Sequence, residues 1–248
     1  MSYTKRINDN VYIVKGSIPQ IRYSARTCTI GAEYELVQHF LENITTDVRD
    51  QIGNETAIFI EPQLDSGYPD VVIVHYSMKG VQCRHAERNL LTPIHLKVLS
   101  EIDKRKKISF SHLAQVLGFD MPELEGIIDI LQKAGLLHRS ANLIFRTPYR
   151  DYFCIKKIIA VEAKIDKWAV AIDQAVNNTR FANESYILMK RDKCALDIER
   201  RCKELGIGVL LMNGKLNCAV KASRGHFTKS YISFLFNEWI QQLEEMEG

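Results

Sequence analysis

The stretch IIAVEAKIDKW, residues 158–168, decides how the chain is read. Its apolar, β-branched content is that of a buried strand. Yet Glu162 and Lys164 lie inside it, with one alanine between them. Strand side chains alternate faces, so Ala160, Glu162 and Lys164 share one face, while Val161, Ala163 and Ile165 share the other. A buried carboxylate and ammonium are costly unless paired or bound to a metal. The plain reading is an ion pair at a strand end. The sharper reading is that the two groups belong to a site.

Working outward, DKWAVAIDQAVNN (166–178) predicts a helix, ESYILMK (184–190) a strand and CALDIERRCKELG (194–206) a second helix. IGVLLMNGKLNCAVKA (207–222) holds two apolar runs around Asn213-Gly214, a strong hairpin signal. Upstream, TAIFIEPQL (56–64) and VVIVHY (71–76) read as strands. Gly67 and Pro69 make a turn between them, which delivers Asp70 at the mouth of the second strand. TIGAEYELVQHFLENI (29–44) reads as a helix with Ile30, Val37, Phe40, Leu41 and Ile44 on one stripe. Glu33 falls on that same stripe, and Glu35 falls off it. Residues 1–28 alternate loosely and predict a hairpin or an arm. The last helix, SYISFLFNEWIQQLEEM (230–246), turns Tyr231, Phe234, Leu235 and Trp239 toward the core or toward a second subunit.

Residues 93–148 read as a unit of their own. Helices are expected over 92–105, with Pro93 near the start, over 109–119, with a serine cap and Gly118 as stop, and over 121–135, stopped by Gly135. LLHRSANLIFR (136–146) supplies two short strands. Three helices followed by a hairpin is the winged helix-turn-helix arrangement. The division is then an arm or hairpin over 1–28, a core over 29–92 and 149–248, and an insertion over 93–148.

The bulk numbers constrain function weakly. With 248 residues, 46% of them hydrophobic and 25% charged, the composition is that of a globular protein with a sizeable core. A net charge of +3 permits a nucleic-acid partner without arguing for one. The six cysteines show no Cys-x-x-Cys spacing, so there is no zinc-ribbon signature. Cys83-Arg84-His85 reads as structural. GVLLMNGKL is one residue too long for a phosphate loop and lacks a Ser or Thr after Lys215. No apolar leader or membrane-spanning run is seen, and a cytoplasmic or nucleoid-associated protein is expected.

Asp70, Glu162 and Glu33 together would supply three carboxylates, with Lys164 as a cation beside them. Carboxylates with water and phosphate oxygens suit Mg2+ or Mn2+, which activate water and stabilise a leaving oxygen. Pro69-Asp70, followed by Glu162-Ala163-Lys164 on an apolar strand, resembles the PD-(D/E)xK nuclease superfamily. GAEYELV resembles the early acidic helix of its Holliday-junction-resolvase and Mrr-like members, with Glu33 at the acidic position. DKWAVAIDQAVNNTRFANESYIL resembles the helix and strand after the catalytic lysine, with Gln174 as the glutamine that faces the site. The resemblance covers about residues 29–80 and 150–222. It implies a restriction-endonuclease-like α/β fold, a mixed sheet flanked by helices, with an inserted winged helix. It also implies magnesium-dependent hydrolysis of DNA phosphodiesters, with Glu33, Asp70 and Glu162 on the metal, Lys164 positioning water and Gln174 in support. The alternative is a DNA-binding or assembly protein that keeps the fold without cutting. The winged helix or the C-terminal helix would take a protein partner or a second copy.

Among basic residues, Lys104, Arg105, Lys106 and Lys107, with Arg139 and Arg146 in the wing, are the expected phosphate contacts. The third helix, 121–135, carries Glu123, Glu125 and Asp129 against Lys133 alone, so it is not expected to read a groove.

Overall fold

The structure is a computed structural model that describes residues 3–8, 11–26, 30–47, 55–79, 84–225 and 229–247. Cys28 and Cys83 therefore lie outside the described residues. The chain is α/β and divides into two units, one built from 1–77 and 155–228 and the other from 78–154 and 229–248. Among the described residues no helix is long and apolar enough to cross a membrane.

The first unit is built on an eight-stranded mixed sheet in the order β1-β2-β3-β4-β8-β9-β10-β11. These strands are β1 Tyr3–Asn8, β2 Val11–Lys15, β3 Glu55–Ile60, β4 Val71–Tyr76, β8 Ile155–Lys164, β9 Glu184–Met189, β10 Gly208–Asn213 and β11 Lys215–Val220. The second unit contributes the small strands β5, β6 and β7. β4 and β9 are buried along their whole length, as expected for near-continuous apolar runs in a sheet covered on both faces. Helix α1 (Ala32–Asp47) covers one face with Leu36, Val37, Phe40 and Leu41, against Ile58, Ile73, Val161 and Leu188. Helices α5 (Trp168–Asn178) and α6 (Leu196–Leu205) cover the other with Ala171, Ile172, Ala175, Ile198 and Cys202.

Of the arm or hairpin expected at the N-terminus, the hairpin is found, and it is part of this sheet: β1 and β2 pair antiparallel, and β2 runs parallel to β3. Ile30 was placed on the buried stripe of the first helix. It instead precedes α1 and is 98% exposed.

Gly208 makes one close approach possible. It pairs with Tyr186, and a Cβ there would lie 2.1 Å from the tyrosine ring and 2.9 Å from the Ala222 amide nitrogen. The ring cannot swing away freely, because its hydroxyl donates to the buried Glu184 at 3.1 Å. Gly208→Ala is therefore expected to cost roughly 1–3 kcal/mol, read as a lower urea midpoint.

The second unit has its own three-stranded sheet, β5 (Lys107–Ser109), β7 (Leu143–Arg146) and β6 (Leu137–Ser140), in the order β5-β7-β6. Its helices are α2 (Pro93–Arg105), α3 (Phe110–Leu117), α4 (Met121–Lys133) and α7 (Tyr231–Glu247). Ser109 caps α3 by accepting from the His112 amide, Asp120 caps α4, and Gly118 and Gly135 stop the two helices at φ +72°. Strand β5 is the addition to the expected three helices and hairpin.

Assignment of the C-terminal helix to the core is corrected here. Residues 229–248 cluster with 78–154, and α7 packs on α2. Phe234 and Trp239 are buried, and Phe234 lies among the rings of Tyr152 and Phe153. Polar anchoring is equally specific. Arg88 is buried and donates to Glu238 at 3.1 Å and to Gln241 at 2.8 Å, while Asn237 and Gln241 both donate to the Tyr152 carbonyl. A helix stripe announces that a face is buried, not which surface buries it.

Candidate active site

The register of β4 against β8 explains how two distant carboxylates meet. Val71 pairs with Val161 in an antiparallel ladder, so Asp70, one residue earlier, falls opposite Glu162, one residue later. The Asp70 carboxylate accepts from the Ala163 amide at 2.7 Å. Glu162 is only 2% exposed, on the sheet face covered by α5, where Asn178 donates to its Oε1 at 2.6 Å. Its Oε2 is buried and receives no other donor.

Electrostatics follow from this placement. Burial, and then the neighbouring Asp70, push Glu162 up to about 8. Asp70 is raised as well, first by burial, against the opposing pull of Lys164 and the Ala163 amide. Glu162 therefore keeps its proton at neutral pH, and the part-buried Asp70 beside it disfavours its ionisation. Lys164 sits 3.8 Å from Asp70 and 3.1 Å from Glu33, and its ammonium also donates to the Ala163 carbonyl at 3.0 Å. Burial alone would lower the lysine, but the carboxylates beside it raise it on balance.

Glu33 is half exposed in the first turn of α1, not on that helix's buried face. It reaches the lysine and not the carboxyl pair. Among the described residues, no group of three or more His, Cys, Asp or Glu side chains is placed to hold a metal. Gln174 lines the same cavity of about 300 Å3 as Glu33, Asp70 and Lys164, and its Oε1 is buried without a donor.

The sequence reading missed two participants. Asn178 was findable, since it follows Gln174 by four residues on α5 and so shares its face. Glu61 was not. It lines the cavity at φ +46°, an unusual backbone for a glutamate, held by its amide donating to the Asp70 carbonyl at 3.0 Å.

The expected phosphate contacts of the second unit are mostly engaged already. Lys104 and Arg105 pair with Glu101, Arg139 with Glu125, and Arg146 with Asp103 at 2.8 Å. Lys106 and Lys107 are exposed. In the first unit, Lys190, Arg191 and Lys193 follow directly on Met189, which pairs with Lys164, and Lys167 lies just beyond the end of β8. All four are exposed, and among the described residues none is paired with a carboxylate. Comparison of the chain with protein-family models, curated proteins and solved structures finds no match.

Proposed function

We propose that the chain is a divalent-metal-dependent nuclease of PD-(D/E)xK type, with a restriction-endonuclease-like core and an inserted winged helix, and that it hydrolyses DNA phosphodiester bonds. The observation that carries this reading is the juxtaposition of Asp70, Glu162 and Lys164 despite their separation in sequence. An ion pair kept only for stability needs one acid and one base. Here two acids are crowded together with a single ammonium, which costs stability unless a cation is held between them.

The donor set fits a hard dication. Asp70 and the donorless Oε2 of Glu162 offer carboxylate oxygens, and water and phosphate oxygens would complete the shell of Mg2+ or Mn2+. Bound there, the ion supplies charge neutralisation at the phosphate and a more acidic water. Lys164 is placed to orient the attacking water or to meet charge developing on phosphorus. Glu33 holds the ammonium at the cavity, Asn178 orients Glu162 by donating to its Oε1, and Gln174 lines the cavity beside them. Loss of the Glu162 proton must accompany metal binding. Cleavage at limiting metal should therefore rise with pH toward about 8.

The direct test incubates purified protein with labelled single-stranded, duplex and branched DNA, with Mg2+, Mn2+ or a chelator. Metal-dependent cleavage is expected. Binding without cleavage of any substrate, with either metal, would replace the nuclease by a binding or assembly protein.

Nucleic-acid contact is expected on the first unit. Reversing Lys190, Arg191 and Lys193 to Glu should weaken DNA binding and flatten its salt dependence. Each lost duplex phosphate contact lowers the log–log slope by about 0.9. Lys104, Lys106 and Lys107 to Glu should change the slope less, because Lys104 is already paired. Fluorescence anisotropy over a salt series reads both variants. A larger effect from the second set would move the interface to the winged helix.

A further inference from the structure

The cavity is larger than an ion and its water shell require. It encloses about 300 Å3, at the lower end of pockets that take small organic ligands. Besides the acids and Lys164, its lining includes Arg26, Tyr68 and Ile30. Tyr68 is 41% exposed and Ile30 98% exposed, so apolar surface meets solvent around the cavity. The Arg26 guanidinium lies 6.0 Å from the centre of the Tyr68 ring.

These groups are held by ordered backbone. The Arg26 amide donates to the Glu61 carbonyl at 3.0 Å, Gln63 donates to Ser24 at 2.8 Å, and Ala25 bridges Pro62. Tyr68 follows a tight turn closed by hydrogen bonds between Leu64 and Gly67 at 2.9 and 3.0 Å. An aromatic ring and a guanidinium are thus fixed in the cavity that holds the candidate catalytic acids.

We propose that this wall binds one unpaired nucleotide of the substrate, with Tyr68 stacking on the base and Arg26 meeting a neighbouring phosphate. The inference rests on the nuclease reading above and adds the substrate class: nucleic acid with an unpaired strand at the cut. A paired duplex keeps its bases stacked inside and presents only sugar, phosphate and groove edges. An aromatic face in a concave cavity gains nothing from that surface. It gains a stacking contact from an unpaired base, whatever its identity.

The experiment measures anisotropy of a labelled 12-nucleotide single strand and of the same strand in a duplex, with chelator present, so that cleavage plays no part. Tyr68→Ala should weaken single-strand binding by about 5- to 150-fold and leave duplex binding unchanged. Tyr68→Phe should keep wild-type affinity, which excludes misfolding as the cause. Arg26→Gln should weaken single-strand binding and lower its salt slope by about 0.7. Equal loss on both substrates, or no loss for Tyr68→Ala, overturns the proposal. Selective single-strand loss without metal-dependent cleavage by wild type would leave the nucleotide site standing and remove the nuclease. Cleavage of the duplex as fast as the single strand, with Tyr68→Ala neutral, would do the reverse.

Discussion

Glu162→Gln is expected to abolish metal-dependent cleavage and, in the same protein, to raise stability at alkaline pH. The loss of activity should be at least about 10²- to 10³-fold, the size seen when a group that stabilises transition-state charge is removed. The gain in stability has a separate origin. Glu162 ordinarily ionises near 4.5 but is pushed up to about 8 in the fold, chiefly by burial and then by Asp70. An acid raised in this way binds its proton more tightly folded than unfolded. Stability is thus fully retained below about 4.5 and is lost as pH rises through about 8. Glutamine keeps the acceptor that Asn178 uses and carries no ionisable group. The metal-free variant should match wild type at pH 4.5 and exceed it by several kcal/mol, up to about 5, at pH 9. Urea denaturation at the two pH values, in chelator, checks this. Equal stability at pH 9 would mean that the two carboxyls do not compete for one proton. Lys164→Met should lose cleavage to a similar degree without the alkaline gain, since it strips the acids of their cation.

The second large effect lies in the other unit. Arg88→Met is expected to destabilise it by about 3–5 kcal/mol, because Glu238 would remain buried as an uncompensated charge. The arginine is 2% and the glutamate 7% exposed at the side chain, and the guanidinium bonds both carboxylate oxygens. Arg84, 3.8 Å from Glu238 and 2.9 Å from Glu245, offers only partial replacement. Arg88→Met with Glu238→Leu should recover most of the loss, since an apolar pair of similar bulk removes the desolvation cost of both charges. Trp239 reports directly on α7, and a Trp168→Phe background isolates its fluorescence. An Arg88→Met protein with an unchanged midpoint would show that the buried pair contributes nothing.

Much of the fold was legible because its signals are local. Alternation and apolar runs mark β3, β4, β8 and β9, Asn213-Gly214 marks the last hairpin, and Gly118 and Gly135 mark helix ends. The meeting of Asp70, Glu162 and Lys164 was expected from their strand positions and a resemblance, and the register of β4 and β8 brings them together. What escaped depends on partners distant in sequence. Arg88, in the stretch HAERNL, carries no local signal of burial, and its partner Glu238 lies 150 residues on. The backbone of Glu61 is bent by a hydrogen bond to Asp70. Glu33 was placed on a buried stripe one turn before Val37, but it lies in the first turn of α1, where its side chain is half exposed. Lys104 and Arg105 looked available because Glu101, one turn earlier, was left out of the charge balance.

Tyr76 pairs with Ile155, so the chain leaves and re-enters the sheet at neighbouring strand ends. This bears on how the site comes into being. Ninety-two positions separate Asp70 from Glu162. Closing so long a loop costs about 2 kcal/mol more than closing a ten-residue hairpin. At roughly 5–20 residues per second, a ribosome finishes Asp70 about 5–20 s before Glu162 emerges. During that interval half of the candidate site exists without its counterpart. Until β8 is made, β4 can complete its ladder only with β3. The candidate site is thus a late product of synthesis, assembled when Ile155–Lys164 comes to lie along Val71–Tyr76.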